Sequence, residues 1–291
     1  MPTPAPKYLL FGERGRLGGL CAEILEECRI PFGTLQRSGD LMFAGECLGN
    51  IHRGPAAPGC FSIIDASIDH CSLERMIAHE DAKLAFMEAL EARGGLCGLV
   101  AFSSGVLEFD DANITTDWHL RYKHLKLRLE AFAQNLSCPA YCPRLFVVIG
   151  PRSFRAATTA WVSIVRQACV SGRVAIAAPA EPRSWVAETY LREDLARFFE
   201  APEEYRPSTP LNGTFCLGDI ARSVAGQLKR SIVIESCDAP GWLSVPYVSR
   251  VQPAISPAYS LDKILAPLAA AYAADVADVA RVADVAGLGG V

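Results

Sequence analysis

Along the first half of the chain, short apolar runs alternate with longer stretches whose hydrophobic residues recur every three to four positions. The pattern predicts strands over residues 7–11, 32–35, 61–64, 96–103 and 142–149, and helices over 17–28, 73–92 and 118–135. Gly94-Gly95 ends the second helix and Gly150-Pro151 stops the last strand. Residues 39–59, rich in glycine and proline, read as a loop region. Strands that alternate with helices imply right-handed crossovers and a parallel sheet covered on both faces. The expected fold class is α/β: a doubly wound parallel, Rossmann sheet with a smaller C-terminal substrate-binding lobe.

Beyond Pro151 the alternation loosens. A helix over 158–170, an apolar run over 174–177 and a charged helix over 191–199 precede a proline-rich linker at 201–210. Phe215-Cys216-Leu217-Gly218 is expected to return to the main sheet. The organisation that follows is a dinucleotide-binding domain over 1–150 with return segments near 184–220. Residues 151–183 and 221–272 would form the smaller lobe, and 273–291 a low-complexity tail of Ala-Asp-Val triplets.

Composition narrows the function without naming it. Of 291 residues, 51% are hydrophobic and 21% charged, which is globular. The net charge of −4 comes without a clustered basic run, so nucleic acid is not an expected partner. Eleven cysteines, an odd number with no C-x-x-C spacing, read as reduced thiols and leave no expected metal site. The opening residues resemble no secretory signal, and no apolar run reaches the length of a membrane span. A cytoplasmic protein acting on a small-molecule substrate is the expectation.

Three features carry chemistry. The turn Gly12-Glu13-Arg14-Gly15-Arg16-Leu17-Gly18 sits between the first strand and the first helix. A pyrophosphate needs backbone N–H groups at a helix N-terminus, approached without an intervening Cβ. Gly12, Gly15, Arg16, Leu17 and Gly18 are therefore candidate cofactor-binding residues. After the second strand come Arg37 and Ser38, with no acid before Asp40. A guanidinium there suits a ribose 2′-phosphate, which favours NADP(H) and keeps NAD(H) as the other option. Tyr122 and Lys126, four residues apart, share one helical face. A neighbouring ammonium stabilises a phenolate and makes a phenol useful as an acid–base group. Ser103-Ser104 ends the preceding strand at the crevice edge where open α/β sheets bind ligands.

Taken together, these residues resemble the extended short-chain dehydrogenases/reductases, and within them the dTDP-4-dehydrorhamnose reductase and epimerase branch. The resemblance runs over roughly residues 7–220. It rests on the opening strand and turn through Gly18, on Ala101-Phe102-Ser103-Ser104, on Tyr122 with Lys126, and on the segment Arg144 to Pro151. It implies that Tyr122 donates a proton to a substrate carbonyl, that Lys126 stabilises its phenolate and holds the nicotinamide ribose, and that Ser104 bonds the carbonyl oxygen. It further implies that Asp65, Ala66 and Ser67 lie beside the cofactor ribose. A homodimer is common in such proteins. Arg183 can meet a substrate diphosphate or serve a surface salt bridge.

The resemblance also has departures. Tyr122 follows Ser104 by eighteen positions, so the loop between them is short. Gly105-Val106 stands where sugar-nucleotide dehydratases carry an Asp-Glu pair, which argues against dehydration. The leading expectation is NADPH-dependent reduction of a ketone on a nucleotide-linked, 4-keto-6-deoxy sugar. An epimerase with retained cofactor and a non-catalytic NADP(H)-binding module are the alternatives. Trp118, His119 and Arg121 read either as pocket lining or as an exposed helix start, and His124 as structural.

Overall fold

The structure is a computed structural model that describes residues 7–55, 59–67, 72–155, 159–205, 210–236, 243–250 and 259–285. The chain forms two compact units. One comprises Met1–Leu145 with Leu191–Pro210, the other Phe146–Tyr190 with Leu211–Val291.

The first unit is built on an eight-stranded sheet. Strands β1 (Tyr8–Phe11), β2 (Phe32–Leu35), β6 (Phe61–Asp65), β7 (Leu96–Ala101) and β9 (Ala140–Tyr141) run parallel in the order β2-β1-β6-β7-β9. Helices α1 (Arg16–Glu27), α2 (Leu73–Glu91) and α3 (Asp117–Gln134) supply the crossovers. The chain leaves β1 on one side for β2 and returns on the other at β6. That reversal of direction opens a crevice at the C-terminal ends of β1 and β6, the usual ligand position in open α/β sheets. All four residues of β1 are buried, as are all five of β6. Leu9, Phe11, Ile63, Phe86, Leu99 and Leu129 are among the core side chains. The doubly wound expectation holds.

Residues 39–59, expected to be loop, extend the sheet instead. Strands β3 (Asp40–Phe43), β4 (Glu46–Asn50) and β5 (Gly54–Pro55) form an antiparallel meander on the β2 edge. Ala44 and Gly45 both take left-handed backbone angles (φ 49° and 85°). Such angles make the two-residue hairpin turn whose twist matches the strands. Glycine-rich sequence hid a hairpin here because turn chemistry outweighed strand propensity. Residues 56–58 lie outside the described set.

The segment from Leu191 belongs to the first unit through specific contacts. Arg192 of α6 (Glu188–Glu200) reaches Glu23 at 3.3 Å and pairs with Glu27, both on α1. Tyr141 and Tyr205 donate hydrogen bonds of 2.5 and 2.7 Å to the buried Asp194 carboxylate.

The second unit has its own core around Trp161, Val165, Trp185, Phe215 and Leu265. The expected strand over 142–149 divides at Phe146. Its first part, β10 (Arg144–Leu145), pairs with β8 (Ser103–Ser104) in the first unit; its second, β11 (Val147–Ile149), pairs with β13 (Pro182–Ala187) in the second. Phe215 does not return to the main sheet. Strand β14 (Gly213–Cys216) pairs antiparallel with β13, because β11 fills the other edge of β13. Residues 261–285 form one helix, α8. No described helix is long and apolar enough to cross a membrane.

Candidate active site

The glycine turn is as tight as its sequence suggests. Gly12 has φ +87°, and a Cβ there would lie 2.8 Å from the Ala66 carbonyl oxygen and from Ser67 Cα. A Cβ on Gly18 would lie 2.0 Å from the Gly12 carbonyl oxygen, so helix and turn touch backbone to backbone. Gly15 is the N-cap of α1, with no side-chain cap and no acid in the first helical turn. Its own N–H bonds the Gly12 carbonyl at 2.8 Å. Gly15 and Arg16 are exposed, and Leu17 is half-buried. An N-terminal turn left uncapped, with a positive dipole end and no competing carboxylate, is a cradle for phosphate. The residues present fit a dinucleotide.

At the end of β2, Arg37 is exposed and has no ion pair with a described residue. Ser38 Oγ donates to Asp40 Oδ2 at 2.7 Å, and Asn50 holds the other oxygen, also at 2.7 Å. Hydrogen bonds from Asn50 first, then from Ser38, keep the Asp40 carboxyl below its ordinary range. The acid is thus engaged within its own hairpin while the guanidinium is not.

Asp65 ends β6 in register with Phe11, yet its side chain is 1% exposed and turned inward. It meets the buried ammonium of Lys83, from α2, at 2.7 Å. Ser67 N and Oγ approach the same Asp65 oxygen at 3.3 and 3.2 Å. From this segment Ala66 and Ser67, both half-buried, are the residues beside the glycine turn.

The two serines of β8 have different partners. Ser103 Oγ donates to Glu130 Oε1 at 2.6 Å, and Arg144 grips Glu130 with two hydrogen bonds of 2.8 and 2.6 Å. That makes Ser103 part of a buried strut between β8, α3 and β10. Ser104 is buried and caps the following short 3-10 turn, its Oγ accepting from Val106 N at 3.3 Å.

Helix α3 brings Tyr122 and Lys126 together. The Lys126 ammonium lies 5.7 Å from the centre of the Tyr122 ring. Lys126 is 5% exposed and Tyr122 half-buried. Burial pulls the ammonium down, but Glu80, Tyr122 and Asp65 outweigh it, so Lys126 keeps its proton more firmly than an ordinary lysine. Trp118, one turn earlier, stacks on Tyr122 with centroids 5.4 Å apart and planes 17° apart. It restricts the phenol, a role that helical spacing of four could have suggested.

The short loop before α3 is pinned from that helix. Lys123 Nζ donates to the Phe109 carbonyl and to Asp111 Oδ1, both at 2.6 Å, and His124 Nε2 lies 3.4 Å from Asp111 Oδ2. Thr116 caps α3, accepting from His119 N at 3.4 Å. Lys123 and His124 thus hold the loop while Tyr122 and Lys126 turn elsewhere.

Arg183 lies in the second unit, where its guanidinium is 3.2 Å from Glu181. That unit has a groove of about 720 Å³, bordered by Trp185, Asn212, Asp219, Arg222 and Asp262. Among the described residues, no group of three or more His, Cys, Asp or Glu could hold a metal ion.

No family model and no curated protein matches the sequence. Solved structures do match the fold. RMD from Pseudomonas aeruginosa, complexed with NADPH, is 15% identical with a TM-score of 0.62, over 92% of this chain and 99% of its own. The UDP-glucuronic acid 4-epimerase of Bacillus cereus, in complex with NAD, is 13% identical (TM-score 0.66, 91% and 96% covered). TunA, an NAD-dependent NDP-hexosamine 5,6-dehydratase of tunicamycin biosynthesis, is 12% identical (TM-score 0.65, 91% and 96% covered). The match covers 91–92% of this chain in all three cases. At 12–15% identity the likeness is one of fold: the chain shares the mixed α/β, Rossmann-type fold of these three structures.

Proposed function

We propose that the chain is an NADP(H)-dependent reductase of a ketone on a nucleotide-linked sugar. The observation that carries this reading is the pairing of Tyr122 with a buried, firmly protonated Lys126 on α3. The glycine cradle on the same sheet edge supports it, and nucleotide-sugar enzymes share the fold. When bound, NADPH supplies the hydride. The chain's own residues do the rest. The Tyr122 hydroxyl donates its proton to the carbonyl oxygen, so that hydride and proton together complete the alcohol. Lys126 stabilises the phenolate left behind, and Ser104 hydrogen-bonds the oxygen while charge builds on it. Trp118 keeps the phenol in one orientation. Arg37 takes the ribose 2′-phosphate, and the first turn of α1 takes the pyrophosphate.

The direct test mixes the protein with NADPH and a panel of nucleotide-linked keto sugars and follows the nicotinamide absorbance. Oxidation of NADPH by one of them is the expected result. Cofactor that stays bound through purification without net oxidation would move the reading to an epimerase, and binding without turnover would leave a non-catalytic module.

Two substitutions probe the cofactor site separately. Arg37→Ala is expected to weaken NADPH about tenfold or more while leaving NADH nearly unchanged, since only NADPH carries the extra phosphate. Gly18→Ala forces a Cβ against the Gly12 carbonyl. Opening the turn costs about 1–3 kcal/mol, so binding of both cofactors should fall roughly 5- to 150-fold. Titration of nicotinamide fluorescence measures each.

A further inference from the structure

Helix α2 carries two charges on its inward face. Glu80 and Lys83 lie in the same buried stripe as Met76, Phe86, Met87 and Leu90. An ammonium has three N–H donors. Lys83, fully buried, directs three hydrogen bonds at one short segment that ends β6. They go to Asp65 Oδ1 at 2.7 Å, to the Ser67 carbonyl at 2.9 Å and to the Ser67 hydroxyl at 3.1 Å. Glu80 Oε1, also 2.7 Å away, meets the ammonium as an ion pair without hydrogen-bond alignment. Neutralising Asp65 needs only the first of the three bonds. The other two hold the backbone and hydroxyl of Ser67.

The glycine turn rests on that same segment. Ala66 N bonds the Phe11 carbonyl at 3.0 Å, which keeps the end of β6 beside the end of β1. A Cβ on Gly12 would lie 2.8 Å from the Ala66 carbonyl oxygen and from Ser67 Cα and Cβ, so the two stretches touch with no slack between them. Gly12 in turn touches α1, since a Cβ on Gly18 would lie 2.0 Å from its carbonyl oxygen. Hydrogen bonds and close backbone contacts thus run unbroken from the Lys83 ammonium through residues 65–67 and Gly12 to the first turn of α1. In packing this close, a small shift of Ser67 either presses on Gly12 or leaves it unsupported.

We propose that Lys83 is a positioning residue of the cofactor site. It holds Ala66-Ser67 against Gly12 and so keeps the first turn of α1 in the geometry that receives a pyrophosphate. The inference rests on the dinucleotide reading given above. Neighbouring groups do not replace Lys83. Ser67 N and Oγ reach Asp65 Oδ1, which lies within the same turn and cannot anchor it to another element. His79 Nε2, 3.3 Å from Ser67 Oγ, meets the hydroxyl, whereas the Ser67 carbonyl is held by Lys83. Without that strut the turn occupies its binding geometry only part of the time, and apparent affinity falls by the same fraction. The loss acts on the backbone under the pyrophosphate, which NADPH and NADH share, and not on the 2′-phosphate that distinguishes them.

The test titrates nicotinamide fluorescence with NADPH and with NADH, well below the melting temperature, where a change in global stability does not alter the affinity of folded protein. Lys83→Met should weaken both cofactors about tenfold and by the same factor, unlike Arg37→Ala. A second variant separates position from charge. Adding Asp65→Asn and Glu80→Gln to Lys83→Met removes both buried carboxylates, while an amide oxygen at residue 65 still accepts from Ser67 N. The melting temperature of this triple variant should recover toward native, and its affinity should not. It also carries the test if the single variant does not fold. Affinity within about twofold of native in either folded variant, or a loss confined to one cofactor, overturns the proposal. So does affinity that returns together with stability in the triple variant. Native protein that binds neither cofactor overturns the dinucleotide reading itself, and the proposal with it.

Discussion

Tyr122→Phe is expected to lower turnover by about 10²- to 10⁴-fold, the span of a lost general acid, with NADPH affinity unchanged within about twofold. The change removes one oxygen. The Phe ring retains the stack on Trp118 and the place beside Lys126, so neither helix α3 nor the cofactor cradle has reason to move. An effect confined to kcat and kcat/KM in equal measure would mean that the lost contact is made in the transition state. Steady-state rates on the substrate found by the panel, with cofactor binding measured in parallel, decide it. Activity within tenfold of native would remove Tyr122 from the mechanism and leave Ser104 or a water to supply the proton. The neighbouring residue gives a control. Ser103→Ala breaks the bond to Glu130, a loss of stability with little change in rate.

Much of this site was legible in the sequence because it is local. The glycine turn spans seven residues between a strand and a helix, and the Tyr122–Lys126 pair is a single helical turn, so spacing alone places each. The doubly wound sheet was legible for a similar reason, since its strands are buried on both faces and read as continuous apolar runs. The failures share a cause in long-range pairing. Whether residues 39–59 pair as a hairpin depends on the β2 edge being open. Whether Phe215 joins one sheet or another depends on which edge of β13 remains free. No periodicity encodes either. Glu80 and Lys83 were missed although a signal existed. They stand at the spacing of Met76, Met87 and Leu90, and two opposite charges three apart on an apolar face mark a buried ion pair. An i,i+3 pair on a helix is usually read as surface decoration. What sets this one apart is Asp65, eighteen residues away on another element.

That pair supports the largest stability prediction. Lys83→Met should cost about 3–5 kcal/mol at neutral pH, because it leaves the Asp65 and Glu80 carboxylates in a buried site without their main partner. The dependence on pH should also change sign. In the native protein burial works to raise the Asp65 carboxyl, but Lys83, Lys126 and the bond from Ser67 outweigh it and hold it below the ordinary range. Its contribution to stability is therefore present above the unfolded value near pH 3.9 and is lost only on strong acidification. Without Lys83 the burial cost prevails and the carboxyl takes up its proton more readily folded than unfolded. The folded variant then binds more protons than the unfolded chain, so its stability falls as pH rises from about 4 through neutrality. Urea unfolding at pH 5 and pH 8 separates the two cases. The native protein should hold its stability between them, while the variant should be closer to native at pH 5 and lose ground at pH 8. Equal losses at both pH values would mean that Lys83 acts by filling space, and the buried charges would then have another source of neutralisation.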